Sequence, residues 1–500
     1  MPEVPPPPPF AVRIGAAALP AHDPLELYSR LGRRHGQGEV YLLESLTDTG
    51  HPGGPAMVGY GRLAEIRLYD TYLEIDGMPE LRAALRSVAA DLGLPATPGE
   101  GLDRLDLGDA TVVWELLRRA QGLFAVDRER APAGFGFGFL ANLAYDAAWH
   151  MDELPARTRP AQRPDAVFTL FRDCVRFDDP ERPLLLSAQC AAFGTAGGAD
   201  VAAAAREAAQ APPAQACPPA ARPQSVRDTV ERDTFLGWVR RCLEHIGVGD
   251  IYQIQVGHRI DVCTALTPEQ VYRRLRSRNP SPHMYLLPNA GGTLIGASPE
   301  LLFRIEDERI VMRPIAGTTP RDGDPEANER RIKELLASPK EQAEHIMLVD
   351  LARNDLSRVC RPHSLTEEGL MTVETFSHVF HLVSTVSARL EPQADVWRSL
   401  CATFPAGTMT GAPKLRAMEL IQDIEHEPRG AYAGAVGLID VGGWSELALC
   451  IRTVSHHSGV YSVQASAGVV ADSTPEAEWN ETLAKLGAGY WALTGEELTA

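Results

Sequence analysis

The chain has little positive charge: 48 Lys and Arg stand against 66 Asp and Glu, a formal net charge of −18. Nucleic-acid backbones are gripped by clustered Lys and Arg, so this balance excludes nucleic acid from the expected partners. A small anionic substrate stays compatible, because a few local cations or one metal ion suffice. Cysteine is scattered: Cys174, Cys190, Cys217, Cys242, Cys263, Cys360, Cys401 and Cys450 include no CxxC pair. That pattern argues against structural zinc and for the reduced thiols of an intracellular protein. No apolar stretch approaches the ~20 residues of a membrane-spanning helix, so no membrane partner is expected. The opening residues, with Pro5 to Pro9, lack a basic region followed by an apolar run. No secretory leader is expected from them, and the expected location is the cytoplasm.

What is present is ordinary globular material, 44% apolar and 23% charged, in a chain of 500 residues, which is more than one core usually organises. An Ala-rich run (201–209) passes into sequence dense in Pro212, Pro213, Pro218, Pro219 and Pro223, which suits a covering helix and linker. The expected organisation is therefore an N-terminal lobe over 1–191, a helix and linker over 192–224, and a catalytic domain over 225–497. Strands are expected at 40–46, 56–61, 65–68 and 71–75. Gly134, Gly136 and Gly138 alternate with Phe135, Phe137 and Phe139; without GxGxxG spacing this predicts a glycine-faced strand under close packing, not a nucleotide loop. Phe235, Val239, Cys242 and Ile246 predict an amphipathic helix stopped by Gly247 and Gly249. Further strands are expected at 251–260, 293–297, 301–305, 309–314, 431–440, 445–454 and 460–466, and helical segments at 325–359 and 475–490. Meandering strands with helices in separate blocks indicate an α+β fold.

Several acidic residues stand at helical spacing. Glu341 and Glu344 project from one face, as do Glu478 and Glu481, with Lys485 a turn beyond. Two such pairs facing each other would suit Mg2+; solvated helix faces are the other reading that spacing leaves open. Small-residue segments at 296–300, 314–318, 404–408, 411–414 and 466–468 read as loops; 296–300 puts the Glu300 carboxylate just after a strand, and 314–318 and 466–468 offer backbone N–H groups that can hold a carboxylate. None matches the GxxxxGK[ST] phosphate loop.

In order, the chain carries GDIYQ (249–253), ASPE (297–300), PIAGT (314–318), KEQAEHIMLVDLARNDLSRV (340–359), FPAGTMTGAPKLRAME (404–419), RGAYAGAVG (429–437), IRT (451–453) and ADSTPEAEWNET (471–482). These motifs closely resemble the chorismate-utilising enzymes, and among them component I of anthranilate synthase. The resemblance spans 225–495, with LLES (42–45) adding support in the N-terminal lobe. It implies two packed antiparallel β-sheets surrounded by helices, with chorismate and Mg2+ held between them. It makes Glu344 and Glu481 the metal-binding carboxylates, with Glu341 and Glu478 beside them, and Gly317, Thr318, Tyr432, Arg452, Ser466, Ala467, Gly468 and Lys485 the substrate contacts. Arg452 suits a bidentate grip on a carboxylate.

The resemblance also implies roles. Glu300 matches the general acid that protonates the departing 4-hydroxyl, which requires a raised pKa. His381, in the run Ser377-His378-Val379-Phe380-His381, matches a histidine tied to pyruvate elimination. Family members that add water carry Lys where this chain has Gln253; a neutral amide can orient ammonia, which needs no activation. Ala316 stands where the para-aminating branch has Lys. Both positions favour amination ortho to the ring carboxylate, giving anthranilate and pyruvate. Ammonia is expected from a separate glutamine amidotransferase subunit in a hetero-oligomer, since the chain has no length to spare for a glutaminase. Ser45, Pro282, His283 and Met284 resemble the tryptophan pocket of this family, with His283 in place of an aromatic, so L-tryptophan is an expected inhibitor. Ser466, where Gly is common, and Thr319, where Arg is common, leave room for a specialised enzyme that stops at 2-amino-2-deoxyisochorismate. 4-Amino-4-deoxychorismate synthesis, isochorismate or salicylate synthesis and a catalytically dead regulatory subunit are the remaining alternatives.

Overall fold

The computed structural model describes residues 9–46, 54–127, 133–158, 163–194, 198–212, 217–375 and 379–499. Pro5 to Pro8, Pro213, Ser377 and His378, named above, lie outside them. Hydrogen-bonded strands form two layers. One runs through Leu184–Gln189, Ala166–Phe177, Ala56–Leu68, Val40–Glu44, His283–Asn289, Gly292–Ser298, Thr453–His457, Val460–Val469 and Gln253–Cys263. The other runs through Gly138–Leu143, Ala435–Asp440, Ser445–Leu449, Leu301–Glu306, Arg309–Met312 and Val379–Arg389. All these pairings are antiparallel. The long Ala166–Phe177 strand joins the layers by pairing with both Ala56–Leu68 and Gly138–Leu143. Strands on either side of the Ala- and Pro-rich stretch pair directly, Val40–Glu44 with His283–Asn289 and Gly138–Leu143 with Ala435–Asp440.

Alternation along the strands explains the layering, since every second side chain must leave water. Tyr41, Met57, Tyr285, Leu287 and Leu294 from the first layer meet Leu140, Val436 and Leu438 from the second in one buried cluster. Each such side chain contributes about 1.5–3 kcal/mol on burial. Helices cover the outside. Phe235, Val239 and Cys242 of the Arg232–Gly247 helix pack on Ile254 and Val256, as their spacing predicts. The Gly198–Ala209 helix buries Val201, Ala204, Ala205 and Ala208, the covering role expected of the Ala-rich run. The α+β class and the pair of packed antiparallel layers hold. No helix among the described residues is long and apolar enough to cross a membrane.

Several local expectations are corrected. The segment 325–359 is two helices, Pro325–Ala337 and Pro339–Ser357. Pro339 has no N–H to continue the first, and Ser338 in extended conformation caps the second by accepting from the Glu341 N–H. The strands expected at 56–61 and 65–68 are one, Ala56–Leu68, with a bulge between Arg62 and Ala64. The glycine-faced strand starts only at Gly138, where a side chain would collide with the Ile439 carbonyl; before it, the Gly136 and Phe137 N–H groups donate to the Asp440 carboxylate instead of a ladder. The strand expected at 431–440 begins at Ala435, and that at 445–454 is interrupted at 450–452. The small-residue segments at 314–318 and 466–468 are mostly strand, within Ile315–Pro320 and Val460–Val469.

Candidate active site

The interruption at 450–452 is what aims Arg452. Its φ of 51° is left-handed, a conformation that an L-residue adopts only under local constraint. The backbone carbonyl of Arg452 accepts from the Ala297 N–H at 3.2 Å, holding the kink against the neighbouring strand. Arg452 then lines a cavity of about 200 Å³ with Gln253, Glu300, Gly317, Thr318, Glu344, His381, Tyr432, Ser466, Gly468, Glu481 and Lys485. These twelve residues singled out from the sequence, with Ala316 beside Gly317, are thus brought together from nine separate segments. Ala467, fully buried, and Glu341 and Glu478 are not among the lining residues.

Part of the cavity wall is acidic. The helices Pro339–Ser357 and Pro475–Thr494 bring Glu344 and Glu481 to it. Burial, then the charges of Glu341 and Glu481, push the Glu344 carboxyl up. Burial and Glu481 do the same to Glu478, whose Oε2 is buried without a hydrogen-bond partner. Lys485 Nζ lies 2.6 Å from Glu481 Oε1 and donates to the Ser466 carbonyl at 3.0 Å. Carboxylates that raise one another's pKa and leave an oxygen unbonded are a donor set suited to a cation. Among the described residues no three such side chains form a closed ligand set. The expectation of four carboxylates converging on one ion is therefore narrowed. Glu344 and Glu481 reach the cavity, and Glu341 and Glu478 do not line it but interact electrostatically with the pair that does, Glu341 with Glu344 and Glu478 with Glu481.

The wall also carries a buried cation. Arg452 has no ion-pair partner among the described residues, and burial holds its guanidinium below the usual value, with nearby Tyr432 opposing that shift. An unpaired guanidinium inside a cavity is a waiting site for a carboxylate. Gly317 makes the wall thin. It sits at a bulge between Ala316 and Thr318 with φ of 72°, and a Cβ there would stand 3.1 Å from Leu382 Cδ1 and 3.2 Å from Glu341 Oε2.

The acid and base candidates differ in protonation. Burial pushes the Glu300 carboxyl up to about 8, against the Thr408 hydrogen bond at 3.2 Å and the charge of Lys485. Glu300 thus carries a proton at neutral pH, the state a general acid needs. Burial, reinforced by Arg452 and Lys485, brings His381 down to about 4, with the Gly317 carbonyl opposing. Its Nδ1 lies 3.0 Å from Thr318 Oγ1 and 3.3 Å from the Gly317 oxygen, so the ring is neutral and oriented. Gln253 is 1% exposed, and its Oε1 is buried without a hydrogen-bond partner.

Several lining residues were missed from sequence, Gln255, Thr408 and Gln464 among the polar ones. Gln255 shares a strand face with Gln253 two residues on, and Thr408, inside a quoted motif, binds Glu300. Period-two alternation beyond Gln253 was the available signal for the first. The residues expected to form a tryptophan pocket also come together. Ser45, Pro282, His283 and Met284 line a separate cavity of about 500 Å³ with Glu44, Arg304, Arg313, Trp444 and Glu446. They meet because Val40–Glu44 and His283–Asn289 are neighbouring strands, Met284 opposite Glu44. Burial lowers the His283 pKa, leaving the ring neutral.

Comparison with known proteins agrees with this geometry. The family described as chorismate binding enzyme matches residues 102–489. The chain is 44% identical to 2-amino-4-deoxychorismate synthase of Streptomyces globisporus, over 96% of this chain and 95% of that protein. It is 42% identical to anthranilate synthase component 1 of Streptomyces coelicolor over 73% and 74% of the two chains. The crystal structure of anthranilate synthase component I from Streptococcus pneumoniae superposes with a TM-score of 0.69 at 27% identity, covering 88% of this chain and 93% of that one. With a family match across most of its length and a cavity built from that family's motifs, the chain belongs to the chorismate-binding enzymes and is similar among them to component I of anthranilate synthase.

Proposed function

We propose that this enzyme aminates chorismate at C2 with loss of the 4-hydroxyl, using ammonia, and releases the ring with its enolpyruvyl ether intact. The product is 2-amino-2-deoxyisochorismate, equally named 2-amino-4-deoxychorismate. The observation that carries amination over hydration is Gln253: a buried amide with an unbonded acceptor oxygen lies in the same cavity as a protonated Glu300. An amide oxygen can accept from ammonia and hold its lone pair toward the ring, but cannot deprotonate water. Glu300 donates its proton to the departing 4-oxygen as the C–N bond forms. Arg452 takes one substrate carboxylate. The acidic residues of the wall fit Mg2+, held by Glu344 and Glu481 with Glu341 and Glu478 as their electrostatic neighbours; when bound, it would neutralise and orient the ring carboxylate. The likeness to the Streptomyces globisporus enzyme along nearly the whole of both chains supports release before pyruvate is lost.

A second reading, anthranilate synthase, is favoured by His381 in the cavity and by the names of the other relatives. Incubation with chorismate, Mg2+ and ammonium separates the two. Equal amounts of pyruvate and anthranilate would overturn the primary reading, whereas a product keeping the enolpyruvyl mass supports it. Product formed without any nitrogen source would overturn both. Ammonia is proposed to come from a separate glutamine-hydrolysing subunit. L-Tryptophan is proposed to occupy the cavity beside Ser45 and Met284, and unchanged turnover in its presence would remove that assignment.

A further inference from the structure

Ser466 sits at a junction of hydroxyl and amide groups on the cavity wall. Its Oγ donates to Gln255 Oε1 at 2.8 Å and lies 2.5 Å from the Tyr432 hydroxyl. A serine has one hydroxyl proton, and here Gln255 receives it. The short contact with Tyr432 therefore requires Tyr432 to be the donor. Its proton is then engaged by Ser466, a fellow lining residue, and is not free for a ligand in the cavity. Tyr432 is the only phenol among the described lining residues, and it is the electrostatic neighbour of Arg452. If the acidic pair takes the ring carboxylate through a cation, the enolpyruvyl carboxylate falls to Arg452. The enolpyruvyl arm then lies beside Tyr432.

Resting on the proposed amination, we infer that Ser466 is a positioning residue that preserves the enolpyruvyl ether by holding the Tyr432 proton away from it. Loss of pyruvate from the aminated ring breaks the C3–O bond and sends its electron pair to the departing oxygen. The C2 proton passes to a base, the ring becomes aromatic, and the departing enolate takes a proton to become pyruvate. No oxidant or reductant is involved. A hydroxyl aimed at the ether oxygen would stabilise the charge developing there. With Ser466 and Gln255 in place, the Tyr432 proton is engaged elsewhere, and that stabilisation is withheld.

The test reads product partition. Wild type, Ser466→Ala, Ser466→Thr and the double variant Ser466→Ala/Tyr432→Phe are each given chorismate, Mg2+ and ammonium. Each is also given purified aminated product, so that a variant slow in amination still reports. Pyruvate is measured with lactate dehydrogenase and the remaining ring compounds by mass. Ser466→Ala removes only the hydroxyl and is expected to raise pyruvate per ring converted about tenfold, the effect of one hydrogen bond to a developing charge. Ser466→Thr, keeping a hydroxyl, is expected to stay near wild type, and the double variant to fall back to it. An unchanged pyruvate yield in Ser466→Ala from both compounds overturns the inference, as does a rise that survives loss of the Tyr432 hydroxyl. Stoichiometric pyruvate from wild type instead overturns the proposed product, a result the variants do not mimic.

Discussion

Replacing Glu300 by Gln is expected to stabilise the protein while removing its activity. Between pH 4.5 and about 8 the folded protein holds a proton at Glu300 that the unfolded chain has released. Stability from this group is therefore complete below the unfolded value and falls as pH rises through that window. Each pH unit of the window costs about 1.4 kcal/mol, so the deficit reaches roughly 3 kcal/mol at about pH 7 and roughly 5 above pH 8. Glutamine keeps the oxygen that accepts from Thr408 and carries no charge to desolvate, so the variant escapes the deficit. Urea denaturation of both proteins at about pH 5, 7 and 9 should show near-equal stability at the lowest pH and a gap that widens upward. Turnover in the variant should drop by about 10²–10⁴, the usual contribution of a general acid. In the wild type, kcat should decline above about pH 8 as Glu300 ionises. A variant less stable than wild type at neutral pH, or a gap that does not grow with pH, would refute this account of Glu300.

Other perturbations test the acidic and cationic groups of the wall. Glu344→Gln and Glu481→Gln should each abolish Mg2+-dependent turnover and the rise in Tm on adding Mg2+, with circular dichroism unchanged; turnover surviving in either contradicts the metal assignment. Arg452→Lys keeps the charge but loses the planar fork, so KM should rise roughly ten- to hundredfold; an unchanged KM would place the carboxylate elsewhere. Gly317→Ala should lower stability by about 1–2 kcal/mol, because an L-residue is forced to φ of 72° against Leu382 and Glu341. An unchanged urea midpoint would mean that the bulge relaxes.

The sequence by itself determined the kinds of element and the identity of most cavity residues. Spacing placed Phe235, Val239 and Cys242 on a buried helix face and put Glu341 with Glu344, and Glu478 with Glu481, on shared faces. Motif resemblance named Gln253, Glu300 and Arg452. Local pattern could not say where strands stop. The split at 450–452 and the bulge at Gly317 answer to partners far along the chain, Ala297 and Leu382, because a ladder registers against its neighbour and not against its own sequence. Protonation was equally out of reach. Glu300 is acid at neutral pH, and His381 neutral, because the packed layers strip water from both, and desolvation belongs to the assembled cavity. The direction of the Tyr432 proton likewise depends on Gln255 and Ser466, two side chains from paired strands, meeting at hydrogen-bond distance. Only the tertiary structure decides such a meeting, because it joins residues more than 200 positions apart.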